Sequence, residues 1–79
     1  QEYYNLSIHS ALLNMEQLLK LIQPHCKDLN LRRFDEQNNE VDVLFNVDIT
    51  NHEQLQLLIN AVKSEDQQAS ISFIENRSY

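Results

Sequence analysis

Val41-Asp42-Val43-Leu44-Phe45-Asn46-Val47-Asp48-Ile49 decides the fold. Val41, Val43, Phe45, Val47 and Ile49 fall on one face of this stretch; Asp42, Leu44, Asn46 and Asp48 fall on the other. A period of two sustained this long predicts a half-buried strand. β-Branched residues dominate the inner face, as a pleated surface prefers. The outer carboxylates forbid burial on both sides unless a partner covers them.

Immediately upstream, Glu36-Gln37-Asn38-Asn39-Glu40 is wholly polar. It predicts a hairpin turn in which asparagines take the left-handed positions that glycine usually fills. The chain contains no glycine at all. That removes the Gly-rich phosphate loop and the dinucleotide fingerprint. Before the turn, residues 29–35 predict a strand with Leu29 and Leu31 on one face and Asn30, Arg32 and Phe34 on the other.

Downstream, Thr50-Asn51-His52-Glu53 reads as a capping box, with Thr50 bonding forward and Glu53 reaching back. Leu55, Leu58, Ile59 and Val62 then recur at helical spacing, and this helix is expected to end near Ser64. Residues 69–75 predict a last strand with Ala69, Ile71 and Phe73 inward. At the start of the chain, residues 3–9 alternate, with Tyr4, Leu6 and Ile8 on one side and Tyr3, Asn5, Ser7 and His9 on the other. Ser10 is the expected cap of a first helix over residues 11–27. Leu12, Met15, Leu19 and Ile22 form its apolar stripe, with Leu18 and Cys26 widening it. Pro24 is expected to bend this helix rather than end it, because Cys26 keeps the phase of Ile22.

The order is strand, helix, strand, hairpin, strand, helix, strand. Right-handed crossovers then place both helices on one face of a four-stranded antiparallel sheet. The expected fold class is α+β, a ferredoxin-like βαββαβ two-layer sandwich, in a single domain over residues 1–79.

The chain of 79 residues carries a net charge of −6, with six Lys and Arg of which only Arg32 and Arg33 adjoin. Nucleic acid binding through a broad basic face is therefore not expected. No apolar run is long enough to cross a bilayer. The chain opens with Gln-Glu-Tyr-Tyr and no initiator Met, so it is expected to be a fragment of a larger protein. Its single cysteine, Cys26, forms no internal disulfide and fits a reducing compartment.

His25 and Cys26 are neighbours, and neighbours on a helix point about 100° apart, too far to share one ion or act as base and nucleophile. His9 and His52 are placed at helix entries, with nothing to bring them together. No Cys-x-x-Cys or His-x-x-x-His spacing exists. No catalytic residue, metal ligand or cofactor is expected. Asp35, Glu36, Glu40, Asp42 and Asp48 cluster around the hairpin, and a divalent-ion or small-ligand sensing module built there is the alternative reading. The leading reading rests on the outer sheet face, where Tyr3, Phe34, Leu44 and Ile74 are large apolar residues among Asn, Asp and Ser. Such a face predicts cover by a protein partner or a second copy.

Tyr4-Asn5-Leu6-Ser7-Ile8, the long helix, Leu29-Asn30-Leu31-Arg32, Val41 to Val47, the second helix and Ala69-Ser70-Ile71-Ser72-Phe73 together resemble an ACT-like regulatory domain. The pattern looks most like the cytoplasmic C-terminal domain of bacterial MgtC/SapB-type membrane proteins, over nearly the whole chain. The resemblance implies a non-enzymatic cytoplasmic domain held at the bacterial inner membrane only through an attached upstream region, linked to magnesium homeostasis. ACT domains bind an amino acid near the first strand–helix junction, where a glycine allows close approach. Here that junction is His9-Ser10-Ala11-Leu12, and no residue is carried over as a ligand.

Overall fold

The computed structural model describes residues 3–75. Strand β1 (Tyr4–Ser10) leads to helix α1 (Met15–Ile22) and a short 3₁₀ turn (Gln23–His25). Strands β2 (Asp28–Gln37) and β3 (Glu40–Asp48) form the hairpin, followed by helix α2 (His52–Glu65) and strand β4 (Ser70–Glu75). The sheet order is β2-β3-β1-β4, and every neighbouring pair is antiparallel. This is the ferredoxin-like βαββαβ arrangement, an α+β fold.

The nine-residue alternation gives the buried floor of the molecule. Val41, Val43, Phe45 and Val47 from β3 join Leu6 and Ile8 from β1, Leu18 and Ile22 from α1, and Leu58 and Val62 from α2 in one core. All these strand residues lie on one face, so both helices cover the same side. No described helix lies on the opposite face.

Asn38 and Asn39 occupy the two turn positions with φ of 54° and 65°, between the paired Gln37 and Glu40. Asparagine here supplies the left-handed backbone that a two-residue hairpin requires. The turn is shorter than the polar run suggested: Glu36, Gln37 and Glu40 are strand residues.

Helix α1 is shorter than its expected span of 11–27. Its cap is Asn14, whose side chain accepts from the Gln17 N–H while Gln17 Oε1 accepts from the Asn14 N–H. Ser10 Oγ accepts from the Leu12 and Leu13 N–H groups, but the helix begins only at Met15; Leu12 sits 69% exposed in the connecting loop while Leu13 turns inward. Pro24 ends the α-helix rather than bending it. Its missing N–H cannot continue the ladder, the chain tightens into the 3₁₀ turn, and Cys26 is extended with φ −116° and ψ 138°. At α2 the cap is Asn51, not Thr50. Asn51 Oδ1 accepts from the Gln54 N–H at 2.9 Å, one residue later than the sequence pattern implied.

Candidate functional site

The open face of the sheet is built from the outward residues of four strands, and the register aligns them in rows. Asp28 and Asp48 stand opposite each other, and the Tyr3 hydroxyl donates to Asp28 Oδ2 at 3.0 Å. This hydrogen bond, partial desolvation and the two carboxylate charges hold the Tyr3 hydroxyl above its ordinary pKa. Next come Asn30, Asn46, Asn5 and Ile74, with Asn46 Nδ2 donating to Asn5 Oδ1 at 3.4 Å. Then follow Arg33, Leu44, Ser7 and Ser72, and finally Asp35, Asp42, His9 and Ser70. The face is mostly polar, with Leu44 and Ile74 set into it, and acidic at both ends.

The structure divides the expected apolar set. Tyr3, Leu44 and Ile74 do lie on this face; Leu44 is half-buried and Ile74 is 62% exposed. They form no continuous patch, because Ser7 and Asn5 of β1 separate Leu44 from Ile74. Phe34 lies on the other side. A bulge between Leu31 and Arg33 inserts one residue into β2, so Phe34 pairs with the core residue Val43 rather than with an outward one. One extra residue reverses the phase of everything beyond it, and a strict alternation cannot reveal it. Phe34 remains 43% exposed, and Leu31, on the same face, is 52% exposed.

His9 lies on the outer side of β1, where the alternation of residues 3–9 puts it, but directly opposite Asp42 rather than alone at a helix entry. Its Nδ1 is 2.8 Å from Asp42 Oδ1 and its Nε2 is 2.7 Å from Glu40 Oε1. When protonated, the ring donates to both carboxylates. The hydrogen bonds to Asp42 and Glu40 raise its pKa above the ordinary histidine value, against a smaller opposing cost of desolvation. The signal was present in the order of strands, because a split βαββαβ sheet must pair β1 with β3.

The acidic cluster is thereby split. Asp35, Glu40 and Asp42 gather near His9, Glu36 pairs with inward Val41, and Asp48 lies at the far end of β3. Among the described residues, no group of three or more His, Cys, Asp or Glu is disposed to hold a metal ion.

The first strand–helix junction is occupied by the protein itself. Ser10 Oγ donates to Asp66 Oδ2 at 2.6 Å and accepts from the Leu12 and Leu13 N–H groups. Asp66 Oδ1 accepts from the Gln68 N–H. Both side chains are buried. The Ser10 hydrogen bond and the backbone amides hold the Asp66 carboxyl below the usual carboxylate range, although burial opposes them. Nothing in the sequence pattern linked these two positions.

His25 and Cys26 do not form a pair. His25 Nδ1 lies 3.1 Å from Gln54 Oε1 of α2. Burial, aided by the charge of Asp48, pushes the Cys26 thiol up to about 11, so it stays protonated and unreactive at neutral pH. A mainly apolar recess of about 220 Å³ opens beside Tyr4, Phe73, Ile49 and Leu55 at the start of α2. The Tyr4 and Phe73 rings stack there with centroids 4.6 Å apart. Thr50, Asn51 and His52 complete its rim, and no described buried side-chain polar atom lacks a partner.

The remaining surface of note is the edge of the sheet. All of β2 except Leu29 is exposed, and no other described strand pairs with its outer side. No described helix is long and apolar enough to cross a membrane.

No family model matches this chain, and no curated protein matches it. Among solved structures it is similar to "De novo designed protein Foldit4", with 11% identity, a TM-score of 0.61, and cover of 99% of this chain and 98% of that one. At that identity the likeness establishes the fold alone: a ferredoxin-like α+β sandwich with one sheet face and one long sheet edge left open.

Proposed function

We propose that this domain is a non-catalytic interaction module that works by associating with protein through its β-sheet. The observation that carries the reading is β2, a ten-residue edge strand exposed almost throughout and bearing exposed Leu31 and Phe34. Unpaired backbone groups along an edge are ready donors and acceptors for another strand. The absence of glycine, the inert Cys26 and the self-filled Ser10–Asp66 junction give no support to catalysis or amino-acid capture. The finer setting in this proposal is a cytoplasmic regulatory domain of an MgtC/SapB-type inner-membrane protein linked to magnesium homeostasis. Its support is the ACT-like succession of element lengths and the βαββαβ order.

An amide NMR titration with Mg²⁺, Mn²⁺ and single amino acids is expected to leave the spectrum unchanged. The translational diffusion coefficient is expected to fall as protein concentration rises. Saturable shifts confined to residues 35–48 would transfer the assignment to an ion or ligand sensor.

A further inference from the structure

We infer that the protein seated on β2 is a second copy of this chain, joined antiparallel about a two-fold axis at Phe34. This deepens the association reading and rests on it. The argument lies in the order of charges along the edge, Arg32-Arg33-Phe34-Asp35-Glu36. Two cations, one aromatic ring and two anions read as opposites from the two ends. In an antiparallel pair centred on Phe34, each Arg33 faces the other copy's Asp35 and each Arg32 faces its Glu36. The two Phe34 rings meet on the axis.

The faces agree as well. Arg33 pairs with Leu44 and Asp35 with Asp42, so both point to the open side, while Phe34 and Glu36 pair with inward Val43 and Val41. Residues opposite each other in an antiparallel pair share a face, and this register respects that. It also leaves both helical layers on one side of a continuous eight-stranded sheet. Competing registers fail on charge. A two-residue slip places Arg33 opposite Arg33 or Asp35 opposite Asp35, and an in-register parallel pairing places every charge opposite its like. Charged edge strands normally block pairing; here the charges oppose the neighbouring registers and favour the one centred on Phe34. Within a single copy Arg33 Nε contacts Asp35 Oδ2 at 2.7 Å, with both side chains largely exposed. Arg32 and Glu36 make no ion pair among the described residues. The bulge beside Arg32 ends the regular segment where the self-complementary run ends.

Sedimentation equilibrium is expected to give twice the 9.3 kDa chain mass. R32E/R33E and D35R/E36R alter exposed residues only. Each variant alone is expected to sediment as a monomer with parental circular dichroism, and a one-to-one mixture is expected to restore a dimer. As a second measurement, Phe34→Cys in a Cys26→Ser background is expected to cross-link two copies on mild oxidation, whereas Asn30→Cys in that background is not. Folded variants that fail to combine, or a Phe34→Cys protein that fails to cross-link, would overturn the geometry. A parent dimer indifferent to both double substitutions removes the β2 edge but keeps association. A monomeric parent removes both.

Discussion

Ser10 and His9 adjoin in sequence and sit in opposite environments. Ser10 is buried against Asp66; His9 is partly exposed between Glu40 and Asp42. Removing the Ser10 hydroxyl leaves a buried carboxylate and two backbone amides short of a partner, which costs about 1–3 kcal/mol. Ser10→Ala is therefore expected to lower the unfolding free energy by that amount, read as a lower urea midpoint with an unchanged denaturant slope. Asp66 titrates below the usual carboxylate range, so its contribution is complete above about pH 4 and is lost as pH falls through the depressed folded value. His9 has the other sign. Its folded pKa lies above that of the unfolded chain, so its stabilisation is complete below about pH 6.5 and is lost as pH rises through the folded value. His9→Gln is expected to flatten the melting temperature between roughly pH 6 and 8. An equal slope in parent and variant would show that the two ion pairs contribute nothing to folding.

At the scale of elements, the turn and the bulge carry the register. Asn39 holds φ at 65° without a glycine's freedom. Asn39→Ala puts a residue type that disfavours the left-handed region at this position and is expected to cost roughly 1–2 kcal/mol, read by thermal denaturation; Asn39→Gly is expected to be close to neutral. These elements also show where sequence was sufficient. The alternation at 41–49 and the periodicity of Leu55, Leu58, Ile59 and Val62 reported real faces, because burial on one side leaves a period. Helix α1 misled at both ends. Its apolar stripe ran through Leu12 and Cys26, but the Asn14–Gln17 capping box starts the helix only at Met15, and Pro24 withdrew a backbone donor. Phe34 was misplaced for a third reason: an inserted residue changes the face without changing the composition. The polar cluster around His9 was legible in principle from strand order, whereas the Ser10–Asp66 contact depended on the path of two loops.

For the whole molecule, one core supports everything. Phe45 is fully buried in it, among residues from both helices and all four strands. Phe45→Ala is expected to cost about 3–5 kcal/mol, a large part of the stability of a domain this small, and to leave the chain largely unfolded near body temperature by circular dichroism. The net charge of −6 acts in a different way. Salt screens its self-repulsion, so the melting temperature of a monomeric charge-reversal variant such as D35R/E36R, whose net charge stays negative, is expected to rise with sodium chloride. Parent dimer dissociation is expected to strengthen over the same range, since its charge pairs are exposed. Opposite responses to one titrant separate folding from assembly in a single experiment.

The contact between Ser10 and Asp66 spans 56 positions of chain. Closing a loop of that length from an unfolded coil costs about 3.6 kcal/mol, more than a single hydrogen bond returns. The clasp is therefore expected to fasten late, once other contacts have brought the two ends together. A bond made after the rate-limiting barrier governs departure from the native state, not arrival. Acidification into the range where Asp66 takes up a proton should thus steepen escape from the folded state, leaving the refolding limb of the kinetics nearly where it was.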